Sequence, residues 1–287
     1  MQPTRLNRRH FLRAGLIGSS AAVTAATLGG RALAAVTKPE HDPDGGLKLG
    51  MASYTYRSFP LDKAIAMTKE AGFKYINLKD VHLPMKSTTE ERQAARQKVE
   101  AAGLKLMGGG VISMKSEPEV QQAFEYARDA GMPCIVCTME PKLLDLVEKK
   151  ARKFNILIAI HNHGPTDKLY PSPLDVLALV KDRDPLMGIC MDVGHTVRIQ
   201  VDPIECLERC GDRMHDMHMK DETQATPAGK ATELGHGVID IVGLLKTLSA
   251  RKFPYHIGLE YEAHEHDPQP YVMECAGYLR GVLAAIG

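Results

Sequence analysis

Residues 187–196 read MGICMDVGHT, a short apolar run that ends in polar residues. Three further runs of this kind occupy the second half of the chain: ILIAIHNH (156–163), RMHDMHMKD (213–221) and HIGLEYE (256–262). Short, nearly continuous apolar runs are typical of parallel strands that are buried on both faces. Each run closes with His, Asp or Glu, and the carboxyl ends of barrel strands face one common bowl. The pattern therefore predicts a parallel barrel with its functional groups gathered at one end.

The rest of the chain alternates between strand-like and helix-like segments, which indicates a parallel sheet with helical crossovers. The strand candidates are 47–53, 74–79, 104–110, 133–138, 155–161, 186–192, 214–219 and 255–261. The helix candidates are 61–71, 88–102, 117–130, 141–153, 173–182, 202–210, 238–251 and 268–285. A doubly wound open sheet is the alternative, but it would need a Gly-rich turn where MASYTYRSFP follows the first strand. We therefore predict an α/β chain folded as a single (β/α)8 TIM barrel.

The start of the chain has the composition of an export signal. Arg8-Arg9 opens a basic end, a weakly apolar stretch follows over 14–28, and residues 32–34 read ALA, the A-x-A form of a cleavage site. We predict a twin-arginine signal peptide over 1–34, a linker over 35–46 and a catalytic barrel over 47–287. The expected location is periplasmic or secreted, with export of the folded protein by the twin-arginine translocase. The apolar stretch is shorter than the ~20 residues of a membrane span, so no stable membrane anchor is expected.

Charge and cysteine usage limit the classes of partner and of chemistry. The signal peptide holds five arginines and no acidic residue, so 31 of the 36 basic residues remain against 35 acidic ones, a net charge of −4. Nucleic-acid binding favours a basic face, so neither a nucleic-acid partner nor an endonuclease is expected. Cys134 and Cys137 form a C-x-x-C, but inside an apolar strand-like run and not at a helix start, where redox motifs occur. Buried reduced thiols are expected.

Four strand ends bring candidate metal ligands into the shared bowl, namely His161, Asp192, His218 and Glu260. Imidazole and carboxylate groups that converge in this way suit one divalent ion of the Mn, Co, Zn or Fe type. His163 lies two residues after His161, so either histidine could be the ligand, with His161 the first choice. The other histidine would then contact the substrate or support the site.

Four motifs make the chain resemble a known family over roughly residues 47–286: MDVGHT (191–196), HMKD (218–221), GHGVID (235–240) and GLEYE (258–262). The family is the xylose isomerase-like TIM-barrel superfamily, specifically its sugar phosphate isomerase/epimerase group. The resemblance implies a (β/α)8 barrel with one divalent metal, held by Glu, Asp, His and Glu from strands five to eight.

Asp192, His218 and Glu260 match three of these four family positions. His161 stands where the family commonly has the Glu of L-E-N-H, which makes the ligand set softer and Mg less expected. The resemblance also implies that two metal-bound glutamates donate and accept protons in the epimerases of this group. Only Glu260 of that pair is retained here.

Catalytic roles are assigned to residues at the same end of the barrel. Glu260 is the first candidate for the base, with Lys79, Lys220 or His195 as its partner. A lysine near a metal is expected to have a lowered pKa, which lets it act as a base or hold an oxyanion. The candidate substrate contacts are Tyr54, His82, Glu140, His163 and His195.

These expectations describe an exported enzyme that acts on a small sugar or keto-sugar without a phosphate group. Proton abstraction next to a carbonyl, with a metal to stabilise the enediolate, gives isomerisation or epimerisation. The alternative is a lyase or dehydratase that eliminates a β-substituent from a keto-sugar, an inosose or a 3-keto-glycoside, as relatives do. A third reading is a sugar-binding barrel without catalysis. The partner is a small carbohydrate, and an oligomer is compatible with the sequence.

Overall fold

A computed structural model describes residues 42–287, and these form a closed barrel of eight parallel strands. The barrel strands are β1 (Lys48–Ala52), β2 (Tyr75–Leu78), β3 (Lys105–Met114), β4 (Cys134–Met139), β5 (Leu157–His161), β6 (Met187–Asp192), β7 (Met214–Met219) and β10 (His256–Leu259). Strands β8 (Asp221–Glu222) and β9 (Ala231–Thr232) pair with each other as an antiparallel ribbon. The predicted single (β/α)8 barrel is confirmed.

Helices cover the outside of the barrel. They are α1 (Leu61–Glu70), α2 (Thr89–Ala101), α3 (Glu117–Ala130), α4 (Leu144–Phe154), α5 (Pro173–Val180), α6 (Val193–Val197), α7 (Pro203–Cys210), α8 (Ile241–Ala250) and α9 (Gln269–Ile286). Local sequence explains several of their ends: Thr88 and Glu91 form a capping box at the start of α2, and Gly131 ends α3 in the left-handed conformation. None of the described helices has the length and apolar character to cross a membrane.

Three features of the described region depart from the predicted elements. Strand β3 continues to Met114, beyond the predicted end at residue 110, because its last residues pair with β4. The short helix α6 follows β6 directly and is capped by the Asp192 side chain. The β8–β9 ribbon lies in a polar segment that has no strand pattern. The signal peptide and most of the linker lie outside the described residues.

The register of the strands sets which residues meet at the carboxyl end of the barrel. His161 on β5 pairs with Cys190 on β6, and Asp192 on β6 pairs with His218 on β7. His218 in turn pairs with Gly258 on β10, two residues before Glu260. Four strands that are neighbours in the barrel therefore deliver their polar side chains to one level.

Candidate metal centre

The four predicted ligands, His161, Asp192, His218 and Glu260, come together in a group that we call the ligand cluster. One ligand atom from each lies within 4.8 Å of the other three, and all four side chains are buried. His161 Nε2 lies 2.9 Å from His218 Nδ1, and Asp192 Oδ2 lies 3.6 Å from His161 Nε2. His218 Nδ1 is also 3.2 Å from Glu260 Oε2. Two nitrogen and two oxygen donors therefore surround one point.

Asp192 divides its carboxylate between the fold and the cluster. Oδ1 accepts a hydrogen bond of 2.8 Å from the His195 backbone N–H and so caps α6. Oδ2 is buried and has no hydrogen-bond partner among the described residues. Lys220 Nζ lies 2.9 Å away from Oδ2 without forming a well-directed hydrogen bond. An unpartnered buried oxygen is costly, and this one faces the other three ligands.

Two lysines compensate the charge of Glu260. Lys79 Nζ lies 2.8 Å from Oε1, and Lys220 Nζ lies 2.9 Å from Oε2. Lys220 also contacts Glu262 Oε1 at 2.6 Å. The side chains of Lys79, Lys220 and Glu260 are nearly inaccessible to solvent. Each of these charges is therefore stabilised by its neighbours and not by water.

This network determines the ionisation of the cluster. Burial would raise the pKa of Glu260, but the charges of His218, Lys220 and Lys79 outweigh it and hold the pKa well below its ordinary value. Burial likewise opposes ionisation of Asp192, whose pKa the charges of His195 and Lys220 keep low. Both carboxylates are therefore anionic at neutral pH, as metal ligands must be.

The two ligand histidines differ in their ionisation. Burial lowers the pKa of His161 well below its ordinary value. Burial also acts to lower the pKa of His218, but the charge of Glu260 prevails and raises it. His218 can then donate from Nδ1 to the neutral His161 in the metal-free protein. To bind a metal through Nδ1, His218 would have to release that proton.

Lys220 corrects one expectation from the sequence. A lysine close to a metal is expected to have a lowered pKa, but the protein's own carboxylates shift the pKa of Lys220 the other way. Burial does act to lower its pKa, but Asp192, Glu260 and Glu262 raise it well above the ordinary value. Lys220 is therefore a permanent cation that holds carboxylates, or a developing oxyanion, in place.

The donor set and its surroundings fit a divalent metal. Two imidazoles and two carboxylates suit Mn, Co, Zn or Fe, and Oδ2 of Asp192, which has no hydrogen-bond partner among the described residues, is available as a ligand atom. His163 lies outside the ligand cluster, with Nδ1 3.4 Å from His161 Nδ1. Cys190 Sγ lies below the cluster, within 4.8 Å of ligand nitrogens of His161 and His218.

A cavity of about 520 Å³ opens above the ligand cluster, and we call it the metal-side cavity. His161 and Glu260 form part of its floor. The predicted residues Tyr54, Lys79, His163 and His195 line it as well. Asp80, Val81, Val111 and Glu262 complete the lining. The volume suits a small-molecule site, for which about 300–1,000 Å³ is usual.

Two predicted substrate contacts lie away from the metal-side cavity. His82 bonds through Nδ1 to Ser53 Oγ at 2.8 Å and through Nε2 to the Phe59 carbonyl at 3.0 Å, so its ring supports the loop after β1. Glu140 follows β4 and precedes a short 3-10 turn, and it is absent from the cavity lining. The sequence placed both residues after strands, but it could not show where their side chains point.

Asn162 is a positioning residue that sequence reasoning missed. Its Oδ1 accepts from the Asp192 backbone N–H at 2.9 Å, and its Nδ2 donates to Thr196 Oγ1 at 3.1 Å. These bonds hold the end of β5 against the end of β6 and so set the spacing between His161 and Asp192. Its position between two histidines was the available signal.

Residues 65–281 match the family described as xylose isomerase-like TIM barrel. The chain belongs to that family. The match covers most of the barrel, including every member of the ligand cluster. None of the curated proteins matches the sequence.

Solved structures of other proteins share the fold of the barrel. A protein from Parabacteroides distasonis is 24% identical, with a TM-score of 0.64 over 82% of this chain and 98% of that chain. The 3-keto-D-glucoside 4-epimerase from E. coli is 15% identical, with a TM-score of 0.66 over 82% and 99%. A probable 3-DHS dehydratase from Bacillus anthracis is 14% identical, with a TM-score of 0.65 over 81% and 98%. The neighbours thus include a sugar epimerase and a dehydratase.

Proposed function

We propose that this family member is a metal-dependent isomerase or epimerase of a small sugar or keto-sugar. The observation that carries the proposal is the ligand cluster itself, buried at the base of a cavity of about 520 Å³. His161, Asp192, His218 and Glu260 would hold a divalent ion, which would supply the positive charge that stabilises an enediolate. Structural neighbours with epimerase activity on sugars support the same class of chemistry.

The chain's own residues supply the proton transfers. Glu260 is an anion that reaches the metal-side cavity and can accept the proton next to the carbonyl. Lys79 lines the same cavity and places an ammonium beside Glu260, where it can stabilise a developing oxyanion. Return of the proton to another carbon, or to the other face of the same carbon, completes the isomerisation.

His195 is the second candidate for proton transfer. It lines the metal-side cavity, and burial lowers its pKa, so the ring is neutral and basic at pH 7. A carboxylate with a strongly lowered pKa is a weak base, which makes the neutral imidazole a sensible partner for Glu260. Glu260 and His195 would then share the proton transfers that the family resemblance assigns to a pair of glutamates.

The proposal predicts that Glu260→Gln abolishes exchange of the substrate α-proton, because an amide cannot accept that proton. The measurement is deuterium incorporation by NMR when keto-sugars are incubated with the protein in heavy water. Glu265→Gln is the control, since Glu265 is exposed and pairs with Arg57. If Glu260→Gln exchanges the proton at the wild-type rate, the base lies elsewhere and His195→Gln becomes the variant to test.

A lyase is the second candidate function, and His161 is the observation that favours it. With an imidazole in place of one glutamate, the site has fewer groups that can reprotonate an enediolate before a β-substituent leaves. The products of a 3-keto-glycoside separate the two reactions in the same NMR experiment. Release of the second ring indicates elimination, whereas a new epimer that keeps the glycosidic bond indicates epimerisation.

A further inference from the structure

A second cavity, of about 400 Å³, lies beside the metal-side cavity, and we call it the adjoining chamber. His195 and Glu262 line both cavities, so these two side chains form their common boundary. Residues of the β8–β9 ribbon also line the chamber, and this ribbon is separate from the eight-stranded barrel sheet. A ligand that fills the metal-side cavity can therefore extend into the adjoining chamber.

The chamber is bounded by two buried charged side chains. Lys220 and Glu222 are each only 3% exposed. Glu222 forms no salt bridge with any described residue, and its Oε2 has no hydrogen-bond partner among them. Burial raises the pKa of Glu222 to about 7. A polar group that is buried without partners lowers stability, so its presence beside a cavity calls for a ligand that satisfies it.

Glycines allow these charged groups to lie where they do. A Cβ atom on Gly194 would lie 2.6 Å from Lys220 Cδ and 2.8 Å from Glu222 Oε1. A Cβ atom on Gly229 would lie 2.4 Å from the Gln224 carbonyl oxygen. Any larger residue at either place would displace the chamber wall.

The hydrogen-bonding groups of the lining define the class of ligand. Arg198 and Lys230 offer donors and form no salt bridges among the described residues, while Glu222 and Glu262 offer acceptors. A hydroxyl group can accept a hydrogen bond from a basic side chain and donate one to a carboxylate at the same time. An anionic substituent could pair with Arg198 or Lys230, but it would also lie close to Glu222 and Glu262, whereas a hydroxyl group suits both kinds of neighbour.

We propose that the adjoining chamber is a subsite for a second sugar ring, so that the substrate is a glycoside whose keto-sugar ring lies in the metal-side cavity. This inference rests on the proposed function and narrows it, because it selects neutral disaccharide-like substrates over free monosaccharides. His195 and Glu262 would then lie near the bond that joins the two rings.

The test compares a free 3-keto-hexose with a 3-keto disaccharide that has a neutral second ring. Ala231→Phe fills the chamber, and Ala225→Phe is the matched control on an exposed position of the same loop. We expect wild type to exchange the α-proton of the disaccharide with a kcat/KM about tenfold higher or more than that of the monosaccharide. Ala231→Phe should remove this preference through a higher KM for the disaccharide, while the monosaccharide is unaffected.

Two outcomes would overturn the subsite. Equal kcat/KM values for the two substrates in wild type would do so, and so would an Ala231→Phe variant that keeps the disaccharide preference. A 3-keto disaccharide with a glucuronate as the second ring tests the ligand class, and preference for it over the neutral compound would also count against the proposal.

Calorimetry separates a failure of the subsite from a failure of the proposed function. If neither compound shows α-proton exchange, the proposed function fails, but the binding of non-reactive compounds can still be measured. The probes are a neutral disaccharide and the corresponding monosaccharide, each titrated into wild type and into Ala231→Phe. The subsite is supported if wild type binds the disaccharide more tightly than the monosaccharide and Ala231→Phe does not. It is rejected if wild type binds the two compounds equally.

Discussion

At the level of single residues, the carboxylates of Asp192 and Glu260 are kept anionic by different contacts. Asp192 uses one oxygen to cap a helix and has the Lys220 ammonium 2.9 Å from the other, whereas Glu260 has an ammonium group at each oxygen. The lysines that stabilise Glu260 in the metal-free protein compete with any cation for its oxygens. Metal binding by Glu260 would therefore require Lys220 to move away from Oε2, and Glu262, its other partner at 2.6 Å, could keep the ammonium paired.

His218 is the residue whose loss should be most damaging to metal binding. It lies fully buried between His161 and Glu260, so no water or neighbouring side chain can readily replace it. Purified without chelator, wild type should carry about one transition metal per chain, and His218→Ala should carry almost none. Elemental analysis by mass spectrometry measures this, with the exposed His236→Ala as the control. Full occupancy in His218→Ala would exclude His218 from the ligands.

At the level of secondary-structure elements, the buried side-chain amide of Asn162 holds the ends of β5 and β6 together. Asn162→Leu should lower the free energy of unfolding by about 1–3 kcal/mol, because the Asp192 N–H would lose its partner in a buried place. The matched control is Asn77→Leu, since Asn77 is equally buried but neither of its amide atoms has a partner. Urea unfolding of the two variants measures the difference. Equal losses would show that volume, and not the β5–β6 hydrogen bonds, decides the result.

The elements show where sequence reasoning succeeded and why it stopped. The strands that carry His161, Asp192 and His218 were predictable, because apolar runs and their polar ends are local patterns. Helix α6 was not predicted, since it depends on a single cap after β6. The β8–β9 ribbon was missed because residues 222–231 have no alternation of apolar and polar residues. The direction of a side chain such as His82 depends on tertiary contacts that no local pattern contains.

Export concerns the whole molecule. The proposed twin-arginine signal would send a folded barrel across the membrane, and all six cysteines are free and buried in that barrel. Replacing Arg8-Arg9 by Lys-Lys should leave precursor in the cytoplasm, because the proposed signal depends on the paired guanidinium groups. Cell fractionation and immunoblotting in a host with this pathway measure the effect. Unchanged periplasmic recovery of the variant would exclude the twin-arginine route.

Cys190 leads us to predict that a metal bound at this centre can be displaced by copper(I). Its buried thiol lies directly beneath two imidazoles, and burial together with Asp216 keeps its pKa well above 9, so it remains protonated. Copper(I) prefers sulfur and imidazole ligands, and on this side of the cluster it would bind by displacing the proton of the Cys190 thiol. Metal-loaded protein treated with copper(I) should lose its native ion, as measured by elemental analysis. Cys190→Ser should retain it, and equal loss from both proteins would show that the sulfur has no part in the displacement.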